Sequence, residues 1–173
     1  MLKLAFIALA SIALPAVSHA FQLSSDSVDD GKFITSMACE DHDGDHVSPQ
    51  ISISGLPSNA SHVAVILDDP DAVPMDGKIW VHWVVVNIPA ENGTLSAGET
   101  VPGTVLPNSD EDEEYGGLCP EDGTHTYRLS VFALDAEIDV SDVEDAPAFT
   151  LEAFQTQFSD IIVDSAVLEA AFP

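Results

Sequence analysis

A chain of 173 residues with 30 acidic side chains against 4 basic ones, and a formal charge of -26, has almost no cations to set against a phosphate backbone. Nucleic acid and anionic membrane surfaces are therefore disfavoured as partners. No segment after the first twenty residues is apolar for long enough to span a bilayer.

The amino terminus has the layout of a secretory signal: Lys3, an uncharged apolar run over 4–17, then small Ser18-His19-Ala20 before polar Gln22 and Ser24. Cleavage is expected near Ala20, delivering a periplasmic or secreted protein. The remaining stretch, 21–173, is about 150 residues long and suits one domain. Lys32, Lys78 and Arg128 are its cations. Cys39 and Cys119 both lie outside the leader, and an oxidising compartment favours a disulfide between them over two separate thiols.

In chain order, Asp29-Asp30-Gly31 reads as a turn. The polar stretch Asp41-His42-Asp43-Gly44-Asp45-His46 begins like a calcium loop, but His46 stands where such a loop needs glycine and Ser52 where it needs its last acid. Gln50-Ile51-Ser52-Ile53-Ser54 alternates as a strand with one wet face. The apolar, largely β-branched runs over 63–67 and 79–88 predict strands covered on both faces, the centre of a sheet. Residues 89–123 read as surface loop, including Asp110-Glu111-Asp112-Glu113-Glu114, with one short strand near 103–106. A further strand is expected over 127–134. Ser141-Asp142-Val143-Glu144 has capping-box spacing. From Thr150 as N-cap, Leu151, Phe154, Phe158, Ile161, Ile162 and Leu168 recur at helical spacing and predict a C-terminal amphipathic helix.

The chemistry gathers in three pieces. Asp68, Asp69 and Asp71 end the first apolar run, His82 sits inside the second, and His125 and Tyr127 open the later strand. Strand alternation sets Trp80, His82 and Val84 on one face. A histidine in an apolar strand is more often a satisfied core residue, yet nearby carboxylates can fix its tautomer or keep it charged, and either form can donate to an anionic oxygen. Zinc held by His82, His125 and an aspartate has suitable ligand types. A hydrolase using His82 or His125 with Asp69 and Asp71 is the enzymatic alternative, although no Gly-x-Ser-x-Gly elbow offers a nucleophile.

Asp69-Pro70-Asp71-Ala72, then Trp80-Val81-His82-Trp83-Val84-Val85-Val86-Asn87-Ile88-Pro89, then Gly123-Thr124-His125-Thr126-Tyr127, with Ser48-Pro49-Gln50 upstream, resemble the phosphatidylethanolamine-binding protein family in its bacterial Raf kinase inhibitor-like (YbhB/YbcL-type) branch. The resemblance implies a mainly β fold, an antiparallel β-sandwich of Greek-key type with a short helical segment and a C-terminal α-helix. It also implies a pocket for a small anionic or phosphorylated ligand such as a phospholipid head group, lined by Asp69, Asp71, His82, His125 and Tyr127 with Trp80 at the rim. Binding or inhibition rather than catalysis is implied, with no cofactor or metal, and the protein partner would be a secreted or periplasmic one reached through the acidic loop 110–114. The chain departs from the family pattern at Val73 and Glu121, each in place of a proline, and at Thr126 in place of an arginine. The last two add a negative charge and remove a positive one beside the expected pocket.

Overall fold

The computed structural model describes residues 20–143 and 148–173; the leader-like stretch 1–19 lies outside them. Among these residues ten strands form: β1 (Gln22–Ser24), β2 (Val28–Asp29), β3 (Lys32–Phe33), β4 (Ile51–Ser54), β5 (His62–Asp69), β6 (Trp80–Pro89), β7 (Gly93–Leu95), β8 (Thr104–Leu106), β9 (His125–Leu134) and β10 (Ile162–Phe172). Two short helices accompany them, α1 (Val73–Asp76) and α2 (Leu151–Gln157). The strands make a three-stranded sheet, β1-β4-β7, and a seven-stranded sheet, β2-β3-β10-β9-β5-β6-β8. All pairings are antiparallel except β10 with β3.

The large sheet is covered on both faces, which is why its central strands read as unbroken apolar runs. On one face Val63, Val65, Leu67, Leu129 and Val131 meet Ile51 and Ile53 of the small sheet. On the other Ala64, Ile66, Phe132 and Leu134 meet Phe149 and Phe154, with the rings of Phe132 and Phe154 4.8 Å apart. Asp68 ties α2 to this second face. Its carboxylate is fully buried and accepts from Arg128 Nε at 2.8 Å, Arg128 Nη2 at 2.7 Å and the Leu151 N–H at 2.9 Å. The outer side of the same guanidinium meets Glu152 at 2.6 Å.

The turn at Asp30-Gly31 closes the β2/β3 hairpin with both residues at positive φ (46° and 76°), as a two-residue hairpin requires. Strand β8 stands where one was expected, and Thr150 caps α2 by accepting from the Ala153 N–H. The helical spacing is realised only as far as Phe158, whose ring lies 4.7 Å from that of Phe154. Beyond it the chain is a strand, not helix, paired with β9 from Ile162 opposite Leu134 to Phe172 opposite His125. The β-branched run Ile161-Ile162-Val163 and a full ladder of backbone bonds outweigh the helix preference of Ala166, Leu168 and Ala170. Before α2, the short turn Val140–Asp142 is capped by Asp139, which accepts from the Ser141 N–H. Glu144, the other half of the expected capping box, lies outside the described residues.

Candidate functional site

Near the ends of β5, β6 and β9 the protein holds a cavity of about 680 Å³. Strand β5 delivers Asp69, whose Oδ1 accepts from the Asp71 N–H at 2.9 Å and so caps the turn Pro70–Ala72, with proline pre-set at its first position. The other oxygen of Asp69 takes the Nδ1–H of His125 at 2.7 Å. Asp69, Trp80, His82 and His125 all line the cavity.

Asp71 and Tyr127 are brought close by but support the site from outside its lining. Asp71 is exposed, and its carboxylate accepts from the Thr126 N–H at 2.8 Å, fastening the acidic turn to β9 beside His125. Tyr127 is fully buried behind the imidazoles, its ring centroid 5.4 Å from that of His82 and 6.2 Å from that of His125.

His82 owes its aim to a bulge. Leu67 stands opposite Trp83 and Asp68 opposite Val81, so His82 is the extra residue of β6. A bulge re-aims side chains beyond it. Val84 accordingly packs in the core beneath α2 rather than beside His82, where plain alternation had set it. His82 Nδ1–H donates to the Gly116 carbonyl at 3.1 Å, and the Gly116 N–H donates back to the His82 carbonyl at 2.8 Å. Burial lowers the His82 pKa to about 4, although the Gly116 and Gly117 carbonyls favour the charged form. A neutral imidazole has one N–H, and Gly116 takes it. Nε2 is left as a buried lone pair with no partner.

His125 is the reverse case. Burial lowers its pKa, but the hydrogen bond and charge of Asp69, helped by Asp122, outweigh that and hold it above the ordinary histidine value. Burial pushes the Asp69 carboxyl up, with His125 offsetting part of the rise. Its other ring nitrogen, Nε2, lies 3.4 Å from the largely exposed Asp122 carboxylate, to which it donates when the ring is protonated. That long contact is open to exchange for a ligand oxygen.

Two crossing loops, 37–46 and 115–121, form one wall. Cys39 N–H bonds the Leu118 carbonyl at 3.0 Å and Leu118 N–H bonds the Met37 carbonyl at 3.1 Å. At Gly117 a Cβ would stand 2.7 Å from the Cys39 nitrogen, so only glycine fits this crossing. The expected disulfide joins Cys39 to Cys119 here.

Another wall is the acidic loop read in the sequence as a surface for a protein partner. Asn108, buried, organises it: Oδ1 accepts from the Asp110 and Asp112 N–H groups at 2.8 and 3.1 Å, and Nδ2 donates to the Glu114 carbonyl. Sequence reasoning missed Asn108, whose only signal was an Asn-Ser-Asp turn. Seven carboxylates line the cavity (Asp41, Asp69, Asp76, Asp110, Asp112, Glu114 and Glu121), and among the described lining residues there is no lysine or arginine. Among the described residues His82, His125 and an aspartate do not come within metal-ligand spacing of one another; the one group that does, Cys39, His42 and Cys119, has both sulfurs spent in the disulfide.

The family model for phosphatidylethanolamine-binding protein matches residues 24–172. YbcL of Escherichia coli is 36% identical over 146 residues, covering 75% of this chain and 76% of YbcL. The crystal structure of YbcL superposes with a TM-score of 0.72 at 24% identity, covering 89% of this chain and 98% of that one. A phosphatidylethanolamine-binding protein homologue of Chlamydia trachomatis superposes with a TM-score of 0.74 at 25% identity, covering 89% and 97%. LppC of Mycobacterium tuberculosis, a protein named as a lipoprotein, is 38% identical over 94 residues, 53% of this chain and 45% of LppC.

Proposed function

The chain belongs to the phosphatidylethanolamine-binding protein family, and from that membership and its two unlike imidazoles we propose that it binds, without transforming, a small zwitterionic phosphorylated head group. The observation that carries this reading is the opposite hydrogen-bonding sense of His125 and His82 on one cavity. Protonated His125, favoured by Asp69, donates through Nε2–H to a phosphate oxygen in exchange for Asp122. Neutral His82 accepts at Nε2, which calls for a ligand N–H, and the seven carboxylates lining the same cavity favour an ammonium. A bare anion would meet the same carboxylates as repulsion, which narrows the anion pocket implied by the sequence resemblance.

Binding rather than hydrolysis is supported by the lining, which among the described residues has no serine or threonine and whose cysteines are bonded to each other. Water activated by His125 is the hydrolytic route to test. Export to the periplasm or beyond is supported by the leader-like start, the disulfide and the lipoprotein relative. No helix among the described residues is long and apolar enough to cross a membrane.

Calorimetric titration of the mature protein with phosphoethanolamine, phosphocholine, ethanolamine and inorganic phosphate tests this. Phosphoethanolamine should bind most tightly, phosphocholine less because its quaternary nitrogen has no N–H, and inorganic phosphate least. His82→Ala should erase the preference over phosphocholine, and His125→Ala the preference over ethanolamine. Inorganic phosphate binding as well as phosphoethanolamine, or ester turnover that disappears in His125→Ala, would overturn the proposal.

A further inference from the structure

Seven carboxylates are more than the single ammonium of a head group can answer, and the loop that carries three of them is held in place from within. Asp110, Asp112 and Glu114 line the cavity, while Glu111 and Glu113 between them do not. Buried Asn108 fixes that alternation. Its Oδ1 accepts from the Asp110 and Asp112 N–H groups, its Nδ2 donates to the Glu114 carbonyl, and its own N–H donates to the Asp112 carbonyl at 2.9 Å. The loop is also fastened to the start of β6. Ser109 N–H bonds the Val81 carbonyl at 2.9 Å, Ser109 Oγ accepts from the Val81 N–H at 2.8 Å, and Gly116 N–H bonds the His82 carbonyl. The three carboxylates thus share a cavity with His82, which is 4% exposed and whose Nε2 lone pair has no partner among the described residues.

The spread of the acids decides what they fit. Asp41 and Glu121 add carboxylates from the wall of crossing loops, and Asp76 adds one from α1. Among the described residues, however, no three acidic side chains bring oxygens within 4.8 Å of one another. A hard divalent ion needs about six oxygens closed around it, and these stand too far apart to supply them. Carboxylates dispersed around a cavity of about 680 Å³ match positive charges that are dispersed as well. Met75, Trp80 and Tyr115 give the same lining apolar surface, which suits methylene groups and not a hydrated ion.

We propose that the cavity binds a linear aliphatic polyamine of the spermidine class. Its ammonium groups pair with Asp110, Asp112 and Glu114 on one wall and with Asp41 and Glu121 on another, and one N–H is given to His82 Nε2. A cleft lined by one sign of charge focuses the field and draws such a polycation in. This shares neutral His82 with the head-group reading and does not use His125, so each can fail alone.

Calorimetric titration of the mature protein with spermidine, putrescine and butylamine at fixed ionic strength tests this. Spermidine should bind one per chain and most tightly, putrescine less and butylamine least, and Mg²⁺ at equal charge should not displace spermidine. Asp110→Asn, Asp112→Asn and Glu114→Gln combined should weaken spermidine about tenfold, as loss of three solvent-accessible ion pairs does. The same charge removed from exposed sites outside the cavity, by Glu91→Gln, Glu137→Gln and Glu169→Gln combined, should leave its affinity unchanged. His125→Ala should keep spermidine and lose the preference for phosphoethanolamine over ethanolamine. No uptake of spermidine, equal weakening in the two triple variants, displacement by Mg²⁺, or an oligolysine peptide that binds where spermidine does not would each overturn the proposal. Spermidine uptake without phosphoethanolamine uptake would overturn the head-group reading alone.

Discussion

Asp68 and Asp69 are neighbours in β5, yet they face opposite sides of the sheet and meet different chemistry. Asp68, fully buried, takes three donors from Arg128 and Leu151, and a guanidinium stays charged at any pH the protein meets. Asp69 is paired with His125, whose charge depends on pH, and both border a cavity. An aspartate with a partner that cannot titrate acts as a fixed strut between sheet and helix. One with a titrating partner becomes an adjustable part of a binding site, and the two roles stand one residue apart.

The largest expected effect is on the strut. Asp68→Ala strands Arg128 and the Leu151 N–H, and urea unfolding should show a loss of about 3–5 kcal/mol. A loss below about 1 kcal/mol would erase the distinction between the faces.

Next comes His82, whose folded pKa of about 4 lies below its ordinary value of 6.5. Between those values the unfolded chain holds the extra proton, so stability must fall as pH falls through this window, by about 3 kcal/mol in all. Urea midpoints from pH 4 to 7 should show this limb in the natural protein and not in His82→Gln.

The cavity-side pair comes third. Because the folded pKa of His125 is raised, its stabilisation is fully present below the unfolded value near 6.5 and fades as pH rises through the folded value. Asp69→Asn should therefore cost about 2 kcal/mol at pH 6 and progressively less on the alkaline side. Proton NMR titration should show the His125 pKa falling in that variant; an unmoved value would make the pair as passive as the strut.

Smallest is Glu152→Gln. Its side chain is 55% exposed, so its contact with Arg128 should be worth only about 0.5 kcal/mol, and salt should reduce the difference further.

Much was legible along the chain because burial and turn chemistry leave local marks. Unbroken apolar runs marked β5 and β6 as doubly covered, Thr150 marked the start of α2, and the three motifs marked Asp69, Trp80, His82 and His125. The same three motifs supplied Asp71 and Tyr127, and the family likeness supplied the expectation that they line one pocket. Asp71 and Tyr127 belonged to that set by motif and turned out to brace it, one pinning Thr126 and the other packed behind both imidazoles.

The sequence by itself determined which segments are buried on two faces, where the chain turns, and that acid and imidazole occur beside one another in three motifs. Only the tertiary structure decided that 162–172 pairs with β9 instead of extending α2, that His82 is the bulged residue, and that the acidic loop bounds a cavity. The physical reason is separation along the chain. Hydrophobic period and turn preference are set by adjacent residues, whereas register, bulges and the partner of each charge depend on backbone and side chains tens of residues away, as with Asp69 and His125, 56 positions apart.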